Sequence, residues 1–206
     1  MCIILASRRE ESHLYSFQVI KDLAVSTPHP WLQRHFEGTD RRDPLNVGLT
    51  ILLYEFSQIL GNTYRSTENN TQFGPVVHAN MAQAAQISKE MYEAAIAQRP
   101  REIAAIREVF QDVDAFLTPT HPFVAPPLTM DAEGNPGVRQ CTVPVSFTGF
   151  PALSLPCGMS SSGLPIGLQL VANDFQEALL FSIAGAFERV TDFHARQPPI
   201  YGGGQT

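Results

Sequence analysis

The chain has 206 residues, enough for one large domain or two small ones with a real core, and its 44% hydrophobic and 17% charged content excludes a disordered or charge-rich tail protein. Fourteen basic against twenty acidic side chains leave a net charge of −6, which argues against nucleic acid or an anionic membrane as the main partner. Three cysteines (Cys2, Cys141, Cys157) are an odd number without metal-ligand spacing, so neither a disulfide framework nor a zinc site is expected. A soluble protein in the reducing cytoplasm is the default. The most apolar stretch, Leu45 to Leu60, is interrupted by Asn46, Glu55, Ser57 and Gln58 and is too short to span a membrane. The opening Met-Cys-Ile-Ile-Leu-Ala lacks the basic leader of a signal peptide.

The pattern changes near residue 112, and of sixteen prolines nine fall between Pro119 and Pro165. Before that point it is helical. Leu14, Phe17, Ile20 and Leu23 predict a short first helix. Asp43-Pro44 starts a second, apolar on most sides, which Gly61 is expected to stop. An Ala-rich pattern through Met81, Ala84, Ile87, Met91 and Ala95 predicts a helix from about Gly74 to Arg99. Pro100 is expected to break or kink it before Ile103, Ile106 and Phe110 continue the face. The second half predicts strands and turns. Ala115–Thr118, Leu153–Pro156 and Ile166–Val171 are strand candidates, and Gly158 to Gly163 is a polar connection between the last two. Asp131 to Gly137 is a turn. Asn173 or Asp174, with Glu177 completing a capping box, predicts a final helix whose stripe is Leu179, Leu180, Ile183, Phe187 and Val190.

Chemistry is sparse in this pattern. Serine hydrolysis needs an activated hydroxyl, a base within reach and donors for the oxyanion. Gly158-Met-Ser-Ser-Ser-Gly163 has no lysine or histidine near it in sequence, and Ser154, inside an apolar strand, is expected to line the core or satisfy a backbone group. The six histidines show no metal-ligand spacing. His121 follows a strand end, where pockets often form. Cys157 has apolar neighbours and nothing to depress its pKa. There is no P-loop and no dinucleotide fingerprint, so no cofactor and no metal are expected. The residues alone give a mixed α/β domain.

A fixed series of motifs carries more: Val113-Asp-Ala-Phe-Leu-Thr-Pro-Thr120, Pro144 to Gly158 (PVSFTGFPALSLPCG), Gly163-Leu-Pro-Ile-Gly-Leu-Gln-Leu170, Phe175 to Phe187, Thr191-Asp-Phe-His194 and Pro198-Pro199. In this order they resemble the C-terminal half of the amidase signature family over about residues 60–199. The implied organisation is a helical segment of weak resemblance at 1–62 and an amidase-like portion at 63–206. The resemblance implies an α/β fold, here a partial one, with a helical first half followed by a few strands of a mixed sheet packed by helices. It also implies amide-bond hydrolysis by a Ser–cis-Ser–Lys triad, yet no G-G-S-S-G-G-S run occurs, and the only lysines are Lys21 and Lys89. Arginine cannot stand in, because a general base must lose its proton and guanidinium does not. No catalytic residue carries over. Candidate substrate-binding residues are Thr118, Thr120, Arg139 and Ser146. Ser146 stands where the family often has asparagine, and Arg139 falls where the glutamine-using branch has an acidic residue, which speaks against a glutamine-dependent amidotransferase role.

Three functions follow as expectations. The first is an amidase-like protein, not catalytic on its own. The second is an active amidohydrolase on a small amide, its triad supplied by a missing or separate segment. The third is a non-enzymatic module binding a small amide-like ligand or a protein. Strands that lack their partners are expected to leave open edges and an apolar patch, favouring self-association or a companion chain.

Overall fold

A computed structural model describes residues 5–7, 43–66, 71–127 and 139–198. The expected first helix through Leu14 and Leu23 and the turn at Asp131 to Gly137 lie outside the described residues. In chain order the elements are β1 (Leu5–Ser7), α1 (Asp43–Arg65), α2 (Pro75–Ala84), α3 (Lys89–Asp112), β2 (Val113–Pro119), α4 (Val143–Thr148), β3 (Ala152–Met159), β4 (Pro165–Ala172) and α5 (Glu177–Glu188).

The helical half departs from the sequence pattern at its punctuation. Gly61 does not stop α1, which runs on to Arg65. A glycine inside a helix costs only about 1 kcal/mol relative to alanine, and the turn beyond it is anchored by tertiary contacts. Tyr64 shares a 2.8 Å hydrogen bond with His78 Nδ1, and its ring lies 5.7 Å from that of Phe73. The Ala-rich pattern is two helices. The break falls at Ala85–Ser88, where Ser88 Oγ accepts the Met91 N–H at 3.2 Å and caps α3. Pro100 does not interrupt α3, which is continuous over 24 residues. The proline lies on an exposed side of the helix, and its missing N–H removes one bond from a helix of several turns without ending it. Gly48 lets α4 approach α1 closely, since a Cβ there would come within 2.7 Å of Val143 Cγ1.

The described strands form a sheet in the order β1-β2-β4-β3, with antiparallel pairings throughout. β3 and β4 form a hairpin. In its turn Ser160 N–H bonds Leu164 O at 2.8 Å, Gly163 N–H bonds Ser160 O at 3.0 Å, and Gly163 takes the left-handed φ of 77° that favours glycine. The Gly158–Gly163 serines are therefore turn residues, as the pattern predicts.

Two apolar layers sandwich the sheet. On one face, Ala115, Leu155, Leu170 and Ala172 pack under Leu180, Ile183, Ala184 and Phe187 of α5. On the other, Phe116 and Val171 pack with Ile106, Val109 and Phe110 of α3 and with Val145 and Phe150 at α4. The Phe110 ring stacks 5.5 Å from that of Phe116 and tilts 5.4 Å from that of Phe150.

The entry to α5 also differs from expectation. Neither Asn173 nor Asp174 caps it, and Gln176 at the N-cap makes no side-chain cap bond. Both earlier side chains are engaged elsewhere: Asn173 Oδ1 accepts the Asp174 N–H, and the Asp174 carboxylate takes Arg107 of α3 at 2.9 Å. Both partners of that ion pair are well exposed, so it is worth about 0.2–1 kcal/mol. Val190 lies past the helix end and is exposed rather than part of the buried stripe.

Candidate functional site

Beside Phe116 and Val171 the same sheet face turns polar. Thr118 on β2 is directly opposite Gln169 on β4, which is directly opposite Ser154 on β3, so three polar side chains form one row across three strands. Alternation along each strand requires this: the positions between them, Leu117, Leu168, Leu170, Leu153 and Leu155, belong to the layer under α5. Thr118 is 2% exposed and Gln169 5%. Gln169 Nε2 donates to Thr118 Oγ1 at 2.9 Å and to Cys141 O at 3.1 Å, so both of its N–H groups are committed. Neither of these bonds uses its Oε1, and a buried acceptor without a donor costs about 1–3 kcal/mol.

Thr120 continues the row beyond β2. Its Oγ1 lies 2.6 Å from Ser154 Oγ, and its N–H bonds Gly167 O at 2.9 Å. Gly167 makes this contact possible, because a Cβ there would sit 2.8 Å from Thr120 Oγ1 and 3.4 Å from Ser154 Oγ. One hydroxyl of such a pair donates to the other, which leaves one proton and several lone pairs for a ligand. A carboxamide, with one carbonyl acceptor and an N–H donor, is complementary to that arrangement.

Ser154 is thus neither a core residue nor a backbone partner. It is exposed, with its hydroxyl on Thr120, because the edge strand turns this side chain to the polar face.

The other candidates lie apart from the row. Arg139 is exposed on the stretch leading into α4. Ser146 is exposed on α4 and lines a recess of about 260 Å³ together with Glu55 of α1 and Arg99 of α3. Arg99 Nε donates to Phe147 O at 2.7 Å, while Glu55 Oε1 accepts from Tyr92 OH at 3.0 Å. That hydrogen bond to Glu55 raises the pKa of the Tyr92 phenol. His121 lines a separate apolar pocket of about 630 Å³ at the end of β2, walled by Phe123, Val124 and Ile166.

Other reactive groups are poorly placed for catalysis. Burial pushes the Cys157 thiol up, which disfavours the thiolate. Lys89 opens α3 with its Nζ 3.3 Å from Glu93. Among the described residues no group of three or more His, Cys, Asp or Glu side chains is arranged to hold a metal. No described helix is long and apolar enough to cross a membrane.

Sequence reasoning singled out Thr118 and Thr120, which the structure brings into one row with Gln169 and Ser154, and did not single out Gln169, Glu55 or Arg99. For Gln169 the signal was present: a lone amide between Leu168 and Leu170 in a strand of period two. Glu55 and Arg99 lie 44 positions apart on different helices, and nothing local joins them.

The sheet packed between helical layers is a mixed α/β fold of the kind that solved amidase structures share. The chain belongs to the Amidase family, whose model matches residues 41–181. A glutamyl-tRNA(Gln) amidotransferase subunit from Chloroflexus aggregans is 35% identical over 136 residues, 62% of this chain and 28% of that protein. Its counterpart from Moorella thermoacetica is 36% identical over 169 residues, 78% of this chain and 33% of that protein. The match therefore spans about a third or less of these relatives. Among solved structures, an amidase superposes with a TM-score of 0.64 at 22% identity, covering 87% of this chain and 43% of that one. A protein from a vestigial complex that bears on the origins of an s-triazine catabolic enzyme superposes at 0.67 and 21%, covering 77% and 36%.

Proposed function

We propose that this chain is an amidase-family portion that holds a small amide on the Thr118–Gln169–Ser154 row and does not hydrolyse it on its own. The observation that carries the reading is the 2.6 Å Thr120–Ser154 contact, in which the two exposed-side hydroxyls of the row engage each other. A hydroxyl needs an adjacent base to become a nucleophile, and another neutral hydroxyl is not one. Among the described residues the one lysine, Lys89, is engaged with Glu93 on a helix, and guanidinium groups do not accept protons; Lys21 lies outside the described residues. Loss of nucleophile and base together commonly costs about a million-fold in rate.

The reading extends to a companion. β3 pairs with β4 along one side, and among the described residues no strand pairs with its other side. An unpaired row of backbone N–H and C=O groups is a template for another strand. A further segment or a separate chain that adds a strand here would bring its own nucleophile and base to the amide.

Hydrolysis of a simple aryl amide by the purified chain tests this, alongside Ser154→Ala and Ser146→Ala. No turnover above buffer in any of the three is expected. Turnover by the parent that either substitution abolishes would overturn the reading.

A further inference from the structure

The recess between α1, α3 and α4 is distinct from the polar row, and its chemistry is different. It places a carboxylate, Glu55, and a guanidinium, Arg99, around one apolar floor formed by Ile51, Leu52 and Ile96. Each charged group is tied to a partner other than its opposite. Glu55 is held through Oε1 by Tyr92, whose ring stacks on Tyr54 with centroids 4.4 Å apart. Arg99 is held through Nε by Phe147 O, with Nη2 lying over Gly149, 3.2 Å from where a Cβ would project. Gly149 takes a φ of 85° as the C-cap of α4 and adds no side chain, which leaves room for the Arg99 guanidinium beside it. Both side chains are exposed, and each is held by a hydrogen bond that leaves Glu55 Oε2 and the terminal guanidinium nitrogens unused on the recess. Ser146 adds a neutral hydroxyl on the same wall.

We propose that this recess binds a small aliphatic zwitterion, a short ω-amino carboxylate, with its ammonium on Glu55, its carboxylate on Arg99 and its methylenes on the apolar floor. The volume suits that size, since at about 260 Å³ it lies below the roughly 300–1,000 Å³ of pockets for larger ligands. Arginine suits the carboxylate end, because its terminal nitrogens meet both oxygens at once. Exposed Leu52 and Ile96 give the chain something to cover. The inference does not rest on the amide reading of the sheet face.

Calorimetry on the full chain at low salt tests it, with 4-aminobutyrate and 5-aminopentanoate as probes and pentanoate and pentylamine as half-probes. One-to-one binding of at least one amino acid is expected, about ten-fold or more tighter than either half-probe and weakening as salt rises. Glu55→Gln is expected to reduce amino acid affinity to the level of pentanoate, and Arg99→Gln to that of pentylamine. Backbone amide NMR shifts should centre on residues 55, 99 and 146. Equal affinity for the half-probes, no heat with any probe, or binding that survives both substitutions would each overturn the proposal. Thermal melts of the two variants separate loss of binding from loss of fold.

Discussion

The two faces of the sheet are built from the same three strands yet differ in what they do. Under α5 the face is apolar from end to end, with Ala115, Leu155, Leu170 and Ala172 all buried. The opposite face is apolar only where α3 and α4 cover it, through Phe116 and Val171. It then changes to Thr118, Gln169, Thr120 and Ser154. The covered faces supply stability by removing apolar area from water. The polar part is held by hydrogen bonds among Thr118, Gln169 and Cys141 O and between Thr120 and Ser154, which pair groups that are costly to bury alone.

Substitutions sharpen that contrast. The largest effect is expected on the apolar part: Phe116→Ala, at a fully buried ring stacked on Phe110, should cost about 3–5 kcal/mol in urea unfolding. A loss below about 1 kcal/mol would mean the α3 layer does not hold the sheet. Next is Gly167→Ala, which forces Thr120 Oγ1 away from Ser154 and should cost about 1–3 kcal/mol by overpacking. Its more telling effect is on the polar row, where amide NMR signals of Thr120 and Ser154 should move while those under α5 stay. If the two faces respond alike, the division between them fails.

The smallest effect is on pH dependence. Cys157 is partly buried in the α5 layer, and burial raises its pKa in the folded protein. A thiol with a raised folded pKa contributes stability that is fully present below its unfolded pKa of about 8.5 and is lost as pH rises through the folded value. The difference in unfolding free energy between the parent and Cys157→Ala should therefore shrink as pH is raised above that point. A difference that stays flat or grows contradicts the assignment.

Much of the fold was legible from residue pattern alone. Period two in Ile166 to Val171 located β4, and the Gly- and Ser-rich Gly158–Gly163 located its hairpin turn. Local signals failed where contacts from elsewhere decided the outcome. Gly61 reads as a stop until Tyr64 meets His78 and Phe73; Asp174 reads as a cap until Arg107 takes its carboxylate. The candidate site was half legible for the same reason. Thr118 and Thr120 sit in a motif, whereas the pairing of Ser154 with Thr120 depends on a register that no single strand encodes.

The proposal that the row holds an amide is tested most directly by titrating benzamide into the isotope-labelled chain while assaying for benzoate. Saturable shifts are expected at the amides of Thr118, Thr120, Ser154 and Gln169, weakened by Gln169→Leu, with no benzoate formed. Shifts confined to other residues, or release of benzoate that depends on Ser154, would contradict the proposed role of the row.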